Sequence, residues 1–95
     1  MFDVVALGEL LVDFTENGQS QQGNPIFEAN PGGAPCNVLA MLAKLGKRTA
    51  FVGKVGNDFH GAMLKNVAEQ AGIDLRGLAV DPRIPTTLAF VHPRI

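Results

Sequence analysis

The stretch GGAPCNVLAMLAKLGKRTAFVGKVGND, residues 32–58, decides the fold. It opens on a glycine pair, Gly32-Gly33, which lets the backbone approach a ligand closely or take a positive φ. Pro35 suits the first turn of a helix and Gly46 the position just past its end, so the spacing predicts a helix over Pro35 to Leu45. Val38, Met41, Leu42 and Leu45 fall at i, i+3, i+4 and i+7, and Leu39, Ala40 and Ala43 make the other faces apolar. A helix apolar nearly all round is expected to be deeply buried. Arg48 to Val55 then reads as a strand, and Asp58 can cap a further helix.

Working outward, Phe2 to Phe14 is rich in Val and Leu and reads as one buried strand with Gly8 inside it. Thr15 to Gln22 is polar, with Asn17-Gly18 as its clearest hairpin signal. Ile26 to Ala29 is the candidate returning strand, and Asn30 to Pro35 reads as a Gly/Pro loop. On the other side, the helix after Asp58 runs from about Phe59 to Ala71 and is closed by Gly72. Its apolar stripe is Phe59, Met63, Leu64 and Val67, while Lys65, Asn66, Glu69 and Gln70 face water. Ile73 to Val80 and Thr86 to Val91 are further strand candidates, separated by a turn bracketed by Pro82 and Pro85. Strands alternating with helices imply a parallel sheet covered on both faces. After Val91 only His92, Pro93, Arg94 and Ile95 remain; Pro93 should end the strand, and no closing helix follows, which reads as a truncation inside a larger fold.

The 95 residues suffice for one small domain, with 46% hydrophobic and 18% charged residues arguing against disorder. A formal net charge of −1, with no basic stripe or acidic tail, points away from nucleic acid and from anionic membranes. No apolar run approaches the roughly 18–20 residues of a membrane span. The N-terminus starts directly as a strand, without the basic region of a secretion signal, and a single cysteine, Cys36, has no internal disulfide partner. A cytoplasmic location is therefore expected.

The glycine pair ahead of a helix start offers free backbone N–H donors, and Asn37 in the first turn adds two donors and an acceptor. That combination suits a polyhydroxylated ligand, although a plain loop-to-helix connection has the same spacing. No Gly-Lys-Ser/Thr ending is present, so the loop is not of Walker A type. Asp13 lies at the end of the first strand, where open α/β sheets bind ligands, and a carboxylate there can accept hydrogen bonds from two hydroxyls. A solvated strand-end aspartate is the alternative. Cys36 reads as a small packing residue, His60 and His92 as surface residues, and Lys54 as a solvated strand end; Glu9 has no assignment. No metal site is expected.

Gly32, Gly33, Asn37, Gly46 and Gly56 stand at the spacing of the first signature of the PfkB, or ribokinase-like, carbohydrate kinases, which this segment resembles. Leu39 departs from it, standing where that family usually has Ala, Ser or Thr. The opening Gly8-Glu9-Leu10-Leu11-Val12-Asp13-Phe14 and the string Gly53-Lys54-Val55-Gly56-Asn57-Asp58 are similar to the family too. Within it, Gly-Gly-Ala-Pro before Asn37 looks most like fructokinases.

The resemblance implies an α/β fold: the N-terminal part of a parallel-sheet sandwich, with a small β lid built from strands around 14–30 and 86–95. It implies that Asp13, Gly32, Gly33 and Asn37 bind sugar hydroxyls. It further implies ATP and Mg2+ as cofactors, a sugar substrate, and a homodimer formed through the lid strands. The family's Gly-Ala-Gly-Asp motif, with its base and anion hole, is expected beyond residue 95, as is the nucleotide site, so no catalytic residue is assigned in this stretch. The activity implied is transfer of the ATP γ-phosphate to a sugar, most like fructose to fructose 6-phosphate. Another sugar or sugar acid, such as ribose or 2-keto-3-deoxygluconate, and a non-catalytic sugar-binding module are the alternatives.

Overall fold

Two three-stranded sheets, rather than one, organise the chain. The computed structural model describes residues 1–91. The elements are β1 (Val4–Leu7), β2 (Leu11–Gln19), β3 (Pro25–Gly32), α1 (Ala34–Lys44), β4 (Thr49–Gly56), α2 (Phe59–Gln70), β5 (Asp74–Asp81) and β6 (Thr87–Val91). The first sheet has the order β1-β4-β5 and is parallel throughout. The second has the order β3-β2-β6, antiparallel between β2 and β3 and parallel between β2 and β6.

The expected single strand over Phe2 to Phe14 is therefore two strands in two sheets. The Gly8 N–H still bonds to the Val52 carbonyl at 3.2 Å, after which the chain leaves the parallel sheet. Only Gly8 and Glu9 interrupt the apolar residues on either side of this bend, too short a break for periodicity to register. The Asn17-Gly18 hairpin is also displaced. Both residues lie inside β2, where the pairing with β3 slips between Glu16 and Gln19. The turn itself is at Ser20 to Asn24: the Ser20 N–H donates to the Asn24 carbonyl at 2.8 Å, and the Ser20 hydroxyl accepts the Gln22 and Asn24 N–H groups. Gly18 has φ 82, and a positive-φ residue in an irregular pairing is a bulge rather than a turn. The expected loop from Asn30 is strand as far as Gly32, because β3 is an edge strand and an edge tolerates the missing donor of Pro31.

The core joins both sheets and both helices: Leu10 and Val12 from the start of β2, Leu39 from α1, Phe51 and Val55 from β4, Leu64 and Ala68 from α2, and Ile73. Helix α1 buries a different face from the one expected. Leu39 is fully buried, with Cys36 and Ala40 packed beside it, whereas Val38, Met41 and Leu45 are more than half exposed. The small side chains Cys36 and Ala40 let the helix lie close to the sheet, which outweighs the larger apolar area of the other stripe. In α2 the buried residues are Gly61, Leu64 and Ala68, and Phe59 is 78% exposed instead of inward.

Both helices pack on the face of the parallel sheet that carries Phe51 and Val55. Two successive crossovers of the same hand, stepping in one direction from β1 to β4 to β5, must place their helices on the same side. The opposite face presents Val5, Leu7 and Val52, all exposed, so the expected cover on both faces is absent among the described residues. The expectation for Pro93 lies outside those residues.

Candidate functional site

Asp13 sits on β2, the central strand of the second sheet, opposite Asn30 on β3 and Ala89 on β6. Strand alternation sends Val12 into the core, fully buried, and leaves Asp13 half-buried on the other face. Its carboxylate lies directly over Gly32: a Cβ there would collide with Asp13 Oδ2. Gly33 follows as the N-cap of α1, with φ 108 and ψ 109. That backbone region favours glycine, and a Cβ at 33 would also meet the Glu9 carbonyl. The Gly33 carbonyl accepts the Asn37 N–H at 3.2 Å, and Asn37 is exposed in the first turn. Gly32 and Asn37 both line a slot of about 50 Å3 between α1 and α2, walled by Leu10, Cys36 and Leu64. The junction of β3 with α1 thus brings together Asp13, Gly32 and Gly33, with Asn37 one turn on. Its chemistry is an acceptor-only carboxylate facing a bare backbone, beside an amide that both donates and accepts.

A second and larger cavity, of about 230 Å3, opens at the carboxyl ends of β1 and β4. Its walls are Gly8, Glu9, Lys54, Gly56 and the β5–β6 connection at Thr86 and Thr87, and they include neither Asp13 nor Asn37. Lys54 is more than a solvated strand end: its Nζ lies 3.6 Å from Asp81 Oδ2. Asp81 is buried, and Arg83 holds it with its backbone N–H at 2.9 Å and its Nε at 3.1 Å. These bonds, the Arg83 side chain first and the Lys54 charge after it, keep the Asp81 carboxyl below its ordinary pKa. Glu9 is exposed at the mouth rather than buried in a strand. Strand-end position was the only sequence signal for Glu9 and Lys54, and the unseen break at Gly8 hid it for Glu9.

Three aromatic rings cross the second sheet. Phe14 stacks on Phe90 at 5.1 Å between centroids, and Phe27 meets Phe90 edge-on at 5.6 Å. His60 is no bare surface residue, since its ring stands edge-on to Phe14 at 5.5 Å. Cys36 is half-buried, and desolvation pushes its thiol pKa up, as suits a packing residue. Among the described residues no group of three or more His, Cys, Asp or Glu side chains is placed to hold a metal ion. No described helix is long and apolar enough to cross a membrane.

A parallel β-α-β-α-β layer, joined to a small second sheet through a glycine-rich helix start, defines an α/β protein of ribokinase-like architecture. The chain belongs to the pfkB family carbohydrate kinases, whose profile matches residues 1–93. It is 46% identical over 90 residues to the probable fructokinase-6, chloroplastic, of Arabidopsis thaliana, covering 93% of this chain and 23% of that protein. It is 46% identical over 93 residues to fructokinase-1 of Oryza sativa subsp. japonica, covering 96% of this chain and 29% of that protein. Among solved structures, fructokinase with bound ATP from Xylella fastidiosa superposes with a TM-score of 0.88 at 32% identity, over 94% of this chain and 29% of that one. The chain therefore spans about a quarter of the length of the curated relatives it matches.

Proposed function

We propose that the complete protein is an ATP-dependent sugar kinase that phosphorylates fructose on its 6-hydroxyl, and that residues 1–95 carry the sugar-positioning half of the site. The observation that carries this reading is the convergence of Asp13, Gly32, Gly33 and Asn37 on the β3–α1 junction. Asp13 accepts hydrogen bonds from sugar hydroxyls, Asn37 donates to and accepts from a neighbouring hydroxyl, and the glycine pair lets the sugar lie against bare backbone. Phosphoryl transfer depends mostly on positioning and electrostatic stabilisation, so a rigid sugar cradle is a large share of the protein's task.

The second sheet, β3-β2-β6, acts as the lid over the sugar and excludes water from the transfer. Its Phe27 and Phe90, on the outer strands, are the apolar surface through which two lids would pair in a homodimer. ATP and Mg2+ are assigned to the part of the protein beyond this chain, together with the catalytic base and the anion hole. The Xylella fastidiosa fructokinase with bound ATP supports ATP as the nucleotide. The names of the relatives support fructose over ribose or 2-keto-3-deoxygluconate. Residence in the cytoplasm rests on the unpaired Cys36 alone, and one relative is named chloroplastic.

A coupled assay of ADP release by the complete gene product tests the function. Fructose is expected to support turnover with Mg·ATP well above ribose and 2-keto-3-deoxygluconate. Turnover with none of the three would overturn the sugar-kinase reading, and a preference for another member would overturn the choice of fructose.

A further inference from the structure

The chain passes between the two sheets three times: at Gly8 to Leu10, at Gly33, and at the connection from Asp81 to Thr87. Among the described residues only the third crossing is tied by side-chain hydrogen bonds to the parallel layer. Thr86, buried just before β6, donates its N–H to Asp58 Oδ2 at 2.8 Å and its hydroxyl to Asp58 Oδ1 at 2.6 Å. The same hydroxyl oxygen accepts the Gly56 N–H, from the end of β4, at 3.0 Å. Asp58 Oδ1 also accepts the Gly61 N–H at 2.7 Å and so caps α2. One carboxylate therefore joins the first turn of α2 to the base of β6, and Thr86 carries the connection on to β4. The joint is close-packed: a Cβ on Gly56 would stand 2.6 Å from the Ile84 carbonyl oxygen.

Strand β6 pairs in parallel with β2, in a register that sets Ala89 against Asp13. Asp13 thus belongs to the small sheet, while Asn37 belongs to α1 on the parallel layer. We propose that Asp58 and Thr86 form a clasp that fixes the small sheet against the parallel layer, and so sets the separation of Asp13 and Asn37 across the sugar. The inference rests on the sugar-kinase reading. Neither residue touches the sugar in it; both are positioning residues. A charge-assisted, part-buried hydrogen-bond pair is suited to the task because its geometry is short and directional and breaking it leaves the buried Thr86 short of a partner.

The test separates the clasp from the helix cap in the complete gene product. Thr86→Val removes the hydroxyl and leaves Asp58 free to cap α2, whereas Thr86→Ser keeps the hydroxyl. Asp58→Ser keeps a good capping oxygen but has no second oxygen to reach Thr86. Thr86→Val, which removes the hydroxyl bond and keeps the Thr86 N–H bond, and Asp58→Ser, which removes both, are expected to raise the sugar KM about 10-fold or more, with the ATP KM unchanged. Amide exchange should quicken selectively in β6, and Thr86→Ser should restore both the KM and the protection. If Thr86→Val does not fold, Asp58→Ser carries the same expectations. An active wild type whose sugar KM is unmoved by these changes, or whose sugar and ATP KM rise together, overturns this inference alone. A wild type without sugar-dependent turnover overturns the function reading and this inference with it.

Discussion

Three aspartates at or near strand ends show how little a residue type says before its partners are known. Asp81 is buried and occupied by Arg83 and Lys54, so it is a structural anchor for the β5–β6 connection. Asp58 is occupied by Thr86 and Gly61. Asp13 instead lies against the bare backbone of Gly32, with no cation or side-chain donor on its carboxylate among the described residues. The bonds to Asp58, the Thr86 hydroxyl first and the Thr86 and Gly61 N–H groups next, lower its pKa from an ordinary 3.8 to about 2. A carboxyl whose folded pKa lies below its unfolded value stabilises the fold fully above the unfolded value, and that stabilisation is lost as pH falls through the folded one. Wild type should therefore melt above Asp58→Asn at neutral pH, and the gap should close between pH 3.8 and about 2. Thermal melts of both proteins across that range check this; a gap that is constant with pH would mean that the charge on Asp58 contributes nothing.

At the scale of elements, α1 carries the sharpest energetic statement. Leu39 is fully buried in the core cluster that also holds Phe51 and Leu64, so Leu39→Ala should cost about 2–5 kcal/mol, the range for emptying a well-packed leucine site. Denaturant unfolding of the complete protein measures it, and a cost below about 1 kcal/mol would place Leu39 outside the core. The two helices, and with them β4 and β5, were legible from sequence because Pro35, Gly46, Asp58 and Gly72 mark the helix ends chemically. The face that α1 buries was not legible, since a helix apolar on every side has no amphipathic signal, and the choice fell to how closely small Cys36 and Ala40 let it pack. The split of Phe2 to Phe14 between two sheets was hidden for a related reason: both halves are rich in Val and Leu, so the brief interruption at Gly8-Glu9 does not stand out from the apolar residues on either side of it. At the site, turn logic singled out Gly32, Gly33 and Asn37, but Asp13, expected at a strand end, instead lies inside β2, paired on both sides, because the apolar run up to Phe14 holds two strands and the second begins at Leu11. The Asp58–Thr86 clasp was not, because its partners are 28 residues apart and only the third dimension joins them.

At the scale of the whole molecule, the described residues leave large apolar surfaces open. Val5 and Leu7 on the uncovered sheet face, Met41 and Leu45 on α1, and Phe59 on α2 are each more than half exposed. Contiguous apolar surface drives association, so residues 1–95 produced alone should sediment as larger species or fail to show a cooperative melt. A compact monomer with a sharp transition would contradict that. The same isolated stretch should transfer no phosphate, because the account places the base, the anion hole and the nucleotide beyond it; turnover above background would refute this division of labour. The central claim is that this stretch holds the sugar. If Asp13 holds the sugar as proposed, Asp13→Ala removes a charge-assisted hydrogen bond to it, worth roughly 1.5–3 kcal/mol, or about 10- to 100-fold in affinity. The most direct measurement is a calorimetric titration of fructose into the complete gene product, wild type and Asp13→Ala, alongside a titration of ATP. Sugar binding is expected to weaken by that factor with ATP binding unchanged, whereas equal fructose affinity in the two proteins would contradict the claim and leave Asp13 a half-buried residue of β2 with no part in sugar binding.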